Sequence, residues 1–163
     1  MQVRPAVADD AAAIAEIYGQ GIAEREATFR TSPPGAAEMR ELVEHGGRAV
    51  FLVAEREGHV DGWVRLVPYS PVAAYQGVGE YALYVRREAR RQGVGRTLLL
   101  ALGERARRDG YWKVVGRLFT RNAGSIALAR ECGFRDVGVH VRHGRLDGEW
   151  HDVLVNEWLL DEP

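Results

Sequence analysis

The sequence predicts a mixed α/β fold, helices laid on a mixed α+β sheet. Three observations carry that reading. Strand-like and helix-like patterns follow one another in the order β-α-α-β-β-β-α-β-α-β-β. One stretch, Gly79 to Arg108, reads as strand, basic glycine loop and helix in direct succession. With 163 residues, 46% of them apolar, the chain can bury a core and is expected to form one domain over residues 1–163.

Local chemistry justifies each element. Val3–Ala6 reads as a short strand. Asp9 or Asp10 caps a helix running through Glu24, with Ile14, Ile17, Tyr18 and Ile22 near helical spacing. Ala27–Pro34 is a loop; Pro33 and Pro34 open a second helix to about His45, which Gly46-Gly47 end. Val50–Ala54 is a buried strand, Arg56–His59 a turn, and Val60–Leu66 the returning hairpin strand. A loop, Pro68–Gly77, precedes the strand Gly79–Val85. Alternation puts Tyr81, Leu83 and Val85 on one face of that strand, and Glu80, Ala82 and Tyr84 on the other. Leu98, Leu102 and Ala106 stripe a helix from Gly95 to Arg108, and Gly110 stops it. Lys113–Phe119 is a strand, and Asn122–Cys132 a short helix closed by Gly133-Phe134. Arg135–His143 and Glu149–Leu160 form a last hairpin around Arg145-Leu146-Asp147-Gly148, where Asp-Gly signals the turn.

Composition narrows the function. A net charge of −1 gives no reason to expect nucleic acid or a membrane as partner. Lys113 is the only lysine, so the arginine count reflects a compositional bias and not every arginine is a ligand. Cys132 stands alone, which excludes an intrachain disulfide, and it reads as core. No apolar run follows Met1, so a cytoplasmic protein is expected. His45 and His59 read as exposed turns; His140, His143 and His151 lack metal-ligand spacing, so no metal is expected.

The loop after the Glu80 strand is built to hold phosphates. It carries Arg90, Arg91, Gln92, Gly93, Val94, Gly95, Arg96 and Thr97. Glycines let backbone N–H groups approach an anion, and the first amides of the following helix lack internal partners. No Gly-Lys-Ser/Thr follows and no third glycine stands three residues on, so the loop is neither a nucleotide-hydrolysing P-loop nor a dinucleotide fingerprint.

Arg90-x-x-Gly93-x-Gly95 after a strand resembles the pyrophosphate loop of the GNAT family of N-acetyltransferases. Asn122-Ala123-Gly124-Ser125-Ile126-x-Leu128, closing on Gly133-Phe134, resembles that family's C-terminal cofactor segment. Within the family the chain is similar to phosphinothricin acetyltransferases and their arsinothricin- and methionine-sulfone-acetylating relatives. The residues that carry this are Thr28-Phe29-Arg30-Thr31 with Pro33, Ala74-Tyr75, Glu80 with Tyr84-Val85, and Gly148-Glu149-Trp150-His151-Asp152-Val153.

The resemblance implies the acyl-CoA N-acyltransferase fold, acetyl-CoA as cofactor and a small-molecule amine as acceptor. It implies Glu80 as general base, which works best with its pKa raised, and burial against Tyr81, Leu83 and Tyr84 is the expected means. Backbone groups of Leu83, Tyr84 and Val85 are implied to meet the pantetheine arm, as are Asn122, a natural helix cap, and Ser125. Phe29, Tyr75 and His151 are implied around the acceptor; for His151, a structural hydrogen bond stands as an equal reading. Arg86 and Arg87 read either as solvated or as partners of a 3′-phosphate. The relatives' homodimer, through the last hairpin, is implied as well. Val72 and Val78 stand where relatives carry an arginine and a threonine, and Ala129 stands where many carry a tyrosine that protonates the leaving thiolate. Two alternatives stay open: a different amine (a protein N-terminus, a polyamine or an aminoglycoside), and a non-catalytic acyl-CoA-binding module.

Overall fold

The computed structural model describes residues 1–160. Its strands are β1 (Gln2–Pro5), β2 (Val50–Arg56), β3 (His59–Pro68), β4 (Val78–Val85), β5 (Lys113–Phe119), β6 (Arg135–Leu146) and β7 (Glu149–Leu159). Its helices are α1 (Ala11–Ala23), α2 (Ala36–Glu44), α3 (Val94–Arg108) and α4 (Ala123–Glu131). The order is the one the sequence predicts.

Boundaries differ where tertiary contacts compete with local signals. Asp10 does not cap α1 in the usual way. Its carboxylate accepts from the Val7 amide at 2.8 Å, across a short 3₁₀ turn, and is held by Arg4 at 2.7 Å. The second helix starts at Ala36, behind an extended Gly35, and not at Pro33-Pro34; Pro34 is buried instead. β6 continues past His143 to Leu146, because its pairing with β7 resumes after an irregularity at His140/Gly144. The turns are as expected: Glu57-Gly58 and Asp147-Gly148 both have two positive φ angles, the backbone a tight two-residue hairpin requires.

The strands form one sheet in the order β1-β2-β3-β4-β5-β7-β6. α1 and α2 cover one face, over Phe51, Val53 and Trp63. α3 and α4 cover the other, over Val64, Leu66 and Tyr81. Every neighbouring pair is antiparallel except β4 with β5, which run parallel and pair only at Val78↔Lys113, Gly79↔Val114 and Glu80↔Val115. Past Glu80 the two strands part: β4 stays with β3 through Val85, and β5 stays with β7 through Phe119. The Tyr81 ring lies against Gly116 at the parting point. A Cβ on Gly116 would sit 2.4 Å from Tyr81 Cε1 and 2.3 Å from Asn156 Oδ1, so only glycine leaves room there.

Candidate active site

The parted strands open a cavity of about 360 Å³ in the middle of the sheet. Glu80, Ala82, Leu83 and Tyr84 form its β4 wall, Arg117, Leu118 and Phe119 its β5 wall. Tyr18, Thr28 and Phe29 close it on the α1 side, and Asn122, Ser125 and Leu128 on the α4 side. Among the described residues, no strand pairs with the gap-facing edge of β4 beyond Glu80. Apart from Val85 O, which accepts from Arg90, the backbone groups on that edge are available to a ligand.

One end of the gap leads to the N-terminus of α3. Thr97 is the first residue to close the helical ladder, its amide bonding Gly93 O at 3.0 Å. The amides of Val94, Gly95 and Arg96 precede it and have no intrahelical acceptor. Arg91 (φ 57°) and Gly93 (φ 81°) take left-handed backbone to turn the loop into the helix. No atom lies within 4 Å of where a Gly93 Cβ would stand, so the approach is open. Bare amides, a positive helix end and open space fit a diphosphate, the anionic centre of coenzyme A.

The side chains of this loop are largely committed to the protein. Arg90 forks onto Glu24, the residue that follows α1, at 2.9 and 3.0 Å and donates to Val85 O. Gln92 accepts from Arg56 and donates to Glu88 O. Arg96 pairs with Glu131, and the Thr97 hydroxyl donates to Gly93 O. Arg86 and Arg87, left open by the sequence, pair with Glu16 and Glu24. The loop is therefore braced by its side chains, while the first amides of α3 are left without an intrahelical acceptor. Asn122 is similarly braced: Oδ1 caps α4 by accepting from the Ser125 amide at 3.0 Å, and Nδ2 donates to Glu26 O.

The other side of the gap holds Glu80. Its surroundings are not those expected from sequence. Tyr81 belongs to the opposite face, where it meets Phe134, and Leu83 packs on that side too. Glu80 instead forms a two-pronged ion pair with Arg117, Nε to Oε1 at 2.9 Å and the second prong from Nη2 to Oε2. The hydrogen bond to Glu80 holds the Arg117 guanidinium above its ordinary pKa. The pair lies at the cavity wall, with Glu80 26% and Arg117 48% exposed, so the arginine is free to swing. Sequence reading missed Arg117; its only signal was a cation in the interior of a strand that is otherwise apolar after Lys113.

Phe29 lines the cavity and meets Phe119 edge-to-face at 4.7 Å. His151 lies behind that wall: buried, stacked on Phe119 at 4.8 Å and absent from the lining. Tyr75 also lies outside the lining, in a 3₁₀ turn, edge-to-face with Tyr69. Tyr84 lines the cavity beside Tyr18, and burial holds its phenol well above the ordinary value, so it stays neutral. Cys132 is buried in the core under α3, and burial pushes its thiol up, so it offers no thiolate. Among the described residues no group of three or more His, Cys, Asp or Glu side chains is placed to hold a metal ion.

Comparison with known proteins bears on the family and the fold. The family described as Acetyltransferase (GNAT) matches residues 18–134. A phosphinothricin N-acetyltransferase of Alcaligenes faecalis is 34% identical over 94% of this chain and 79% of its own length. The crystal structure of a GNAT superfamily phosphinothricin acetyltransferase from Sinorhizobium meliloti, in complex with AcCoA, superposes with a TM-score of 0.91 at 32% identity, covering 99% of this chain and 89% of that one. A ribosomal-protein-alanine N-acetyltransferase from Brucella melitensis superposes at 0.93 with 31% identity, covering 98% of this chain and 99% of that one.

Proposed function

Because this chain belongs to the acetyltransferase (GNAT) family, we propose that it moves the acetyl group of acetyl-CoA to the primary amine of a small amino-acid-like acceptor, with Glu80 as general base. One observation carries the reading: in the gap between β4 and β5, Leu83 and Leu128 adjoin Gly95 in the first turn of α3, and Glu80 lines the same gap. Acetyl-CoA, when bound, supplies an activated thioester acyl group.

The amides of Val94, Gly95 and Arg96 hold the diphosphate, and the unpaired edge of β4 from Leu83 to Val85 holds the pantetheine arm. Asn122 and Ser125 flank that arm from α4. The acceptor enters over Phe29, with Tyr75 at the rim. Amines are mostly ammonium near neutrality, so a proton must leave before attack. The ammonium displaces Arg117 from one oxygen of Glu80, and that oxygen takes the proton. The exposure of Arg117 keeps the cost of the swap low. His151 stiffens the wall through Phe119. No protein nucleophile is needed, in keeping with a buried, protonated Cys132.

A thioester-consumption assay with phosphinothricin, methionine sulfone, methionine sulfoximine, arsinothricin, the common amino acids and a peptide beginning with alanine tests this. We expect turnover with at least one free amino acid or analogue, well above that with the peptide. Turnover of the peptide alone would favour a protein N-terminus as acceptor, the reading to which the Brucella melitensis relative lends support. Turnover of nothing would sink the acceptor assignment.

We also propose a homodimer through β6. This strand ends the sheet, and Val137, Val139 and Val141 stand exposed along it. Such an apolar edge favours a partner strand. Sedimentation is expected to give twice the chain mass of 18.1 kDa; a species at that mass itself would end the proposal.

A further inference from the structure

Arg65 sits in the middle of β3, opposite Phe51 of β2 and Ala82 of β4. Strand alternation puts it on the face of Trp63, whose cluster packs under α1 and α2. Glu80 and Ala82 share that face through the β3–β4 register, and both line the cavity. Tyr18, on the α1 side of the same cavity, is the titratable group that Arg65 senses. Arg65 itself stands just outside the cavity lining, beside the lining residue Ala82 and one diagonal step from Glu80, about 7–8 Å between backbones.

Its charge is uncompensated. Arg65 is partly buried, and its Nε is fully buried without a hydrogen-bond partner. Among the described residues its guanidinium makes no ion pair and no hydrogen bond. The neighbouring arginines differ. Arg30, above the Tyr18 ring, forks onto Glu38, and Arg117 forks onto Glu80. Those two are held above the ordinary guanidinium pKa, whereas burial pushes Arg65 down. The loop from Pro68 to Gly77 brings no charged residue to the site. A half-buried guanidinium without an anion is costly, and a fold keeps one only where something offsets that cost.

We propose that Arg65 is the specificity-determining residue of the acceptor site and takes the α-carboxylate of the incoming amino acid. The inference rests on the acceptor reading above and deepens it. An α-amino acid carries ammonium and carboxylate on one carbon, so its two charges fit between Glu80 and Arg65. The guanidinium fork matches a carboxylate with two parallel hydrogen bonds. With Glu80 and Arg117 cancelling, Arg65 leaves the site one positive charge in excess. Polyamines and aminoglycosides are repelled by it, and a peptide N-terminus lacks the carboxylate.

The test uses L-methionine sulfone and its α-carboxamide with the wild type, Arg65→Met and Arg65→Lys. Calorimetry reads binding and thioester consumption reads turnover. The wild type is expected to bind the acid about 30-fold or more tightly than the amide. Arg65→Met should lose that preference by weakening the acid alone, through KM and not kcat, and Arg65→Lys should recover part of it. The thermal midpoint of Arg65→Met should match or exceed the wild type, because an unpaired buried charge has gone. Acid and amide bound alike by the wild type, no binding of the acid at all, or an equal loss of both in Arg65→Met would each overturn the assignment. Binding that depends on Arg65 without acetylation of either compound would leave Arg65 standing and remove the reaction proposed for this acceptor class.

Discussion

Glu80→Gln is expected to lower kcat by about 10²–10⁴-fold while acetyl-CoA binding stays within about twofold. Glutamine keeps the shape and one oxygen for Arg117, so the wall of the cavity survives. It cannot take a proton from an ammonium. The diphosphate site proposed at the N-terminus of α3 contains no atom of Glu80. Single-turnover kinetics with a saturating acceptor, alongside calorimetry with acetyl-CoA, separate the two effects. Full turnover by the variant would remove Glu80 from the chemistry. Loss of both together would mean that the Glu80–Arg117 pair holds the gap open and that its role is structural.

Gly95→Asp should act on the other half of the site, and in opposite directions on binding and on stability. A carboxylate in the first turn of a helix ordinarily stabilises it by about 0.3–1 kcal/mol, and replacing a helical glycine helps further. The thermal midpoint of the free protein should hold or rise. The same carboxylate stands where the diphosphate is to lie, and a repulsion of about 2 kcal/mol weakens acetyl-CoA about 30-fold. A Cβ at Gly95 also comes to 2.8 Å from Leu128 Cδ2, which narrows the passage between α3 and α4. Gly95→Ala makes that steric change without the charge, and a loss of only a few-fold is expected from it. If aspartate and alanine weaken binding equally, sterics decide. If neither does, the α3 N-terminus is not where the diphosphate binds.

Both outcomes bear on how the site was legible in the chain. The turn into α3 could be read because it is local: left-handed backbone, glycines and a helix start lie within a few residues. The hairpins at Glu57-Gly58 and Asp147-Gly148 were readable for the same reason, since each turn sets a glycine at its second positive-φ position. The Pro33-Pro34 signal misled because proline suits both a helix start and an extended approach, and burial of Pro34 chose the latter.

From the sequence alone came the element order, the two faces of β4, the glycine turn into α3 and Glu80 as the carboxylate to watch. Tertiary structure decided the rest: where β4 and β5 part, that Glu80 meets Arg117, 37 residues away, and that Arg65 meets no carboxylate. Alternation and capping act over a few bonds and leave their mark on neighbouring residues. Which charge lies beside which across a sheet depends on the register of strands distant in the chain, and that is set by the packing of the whole core.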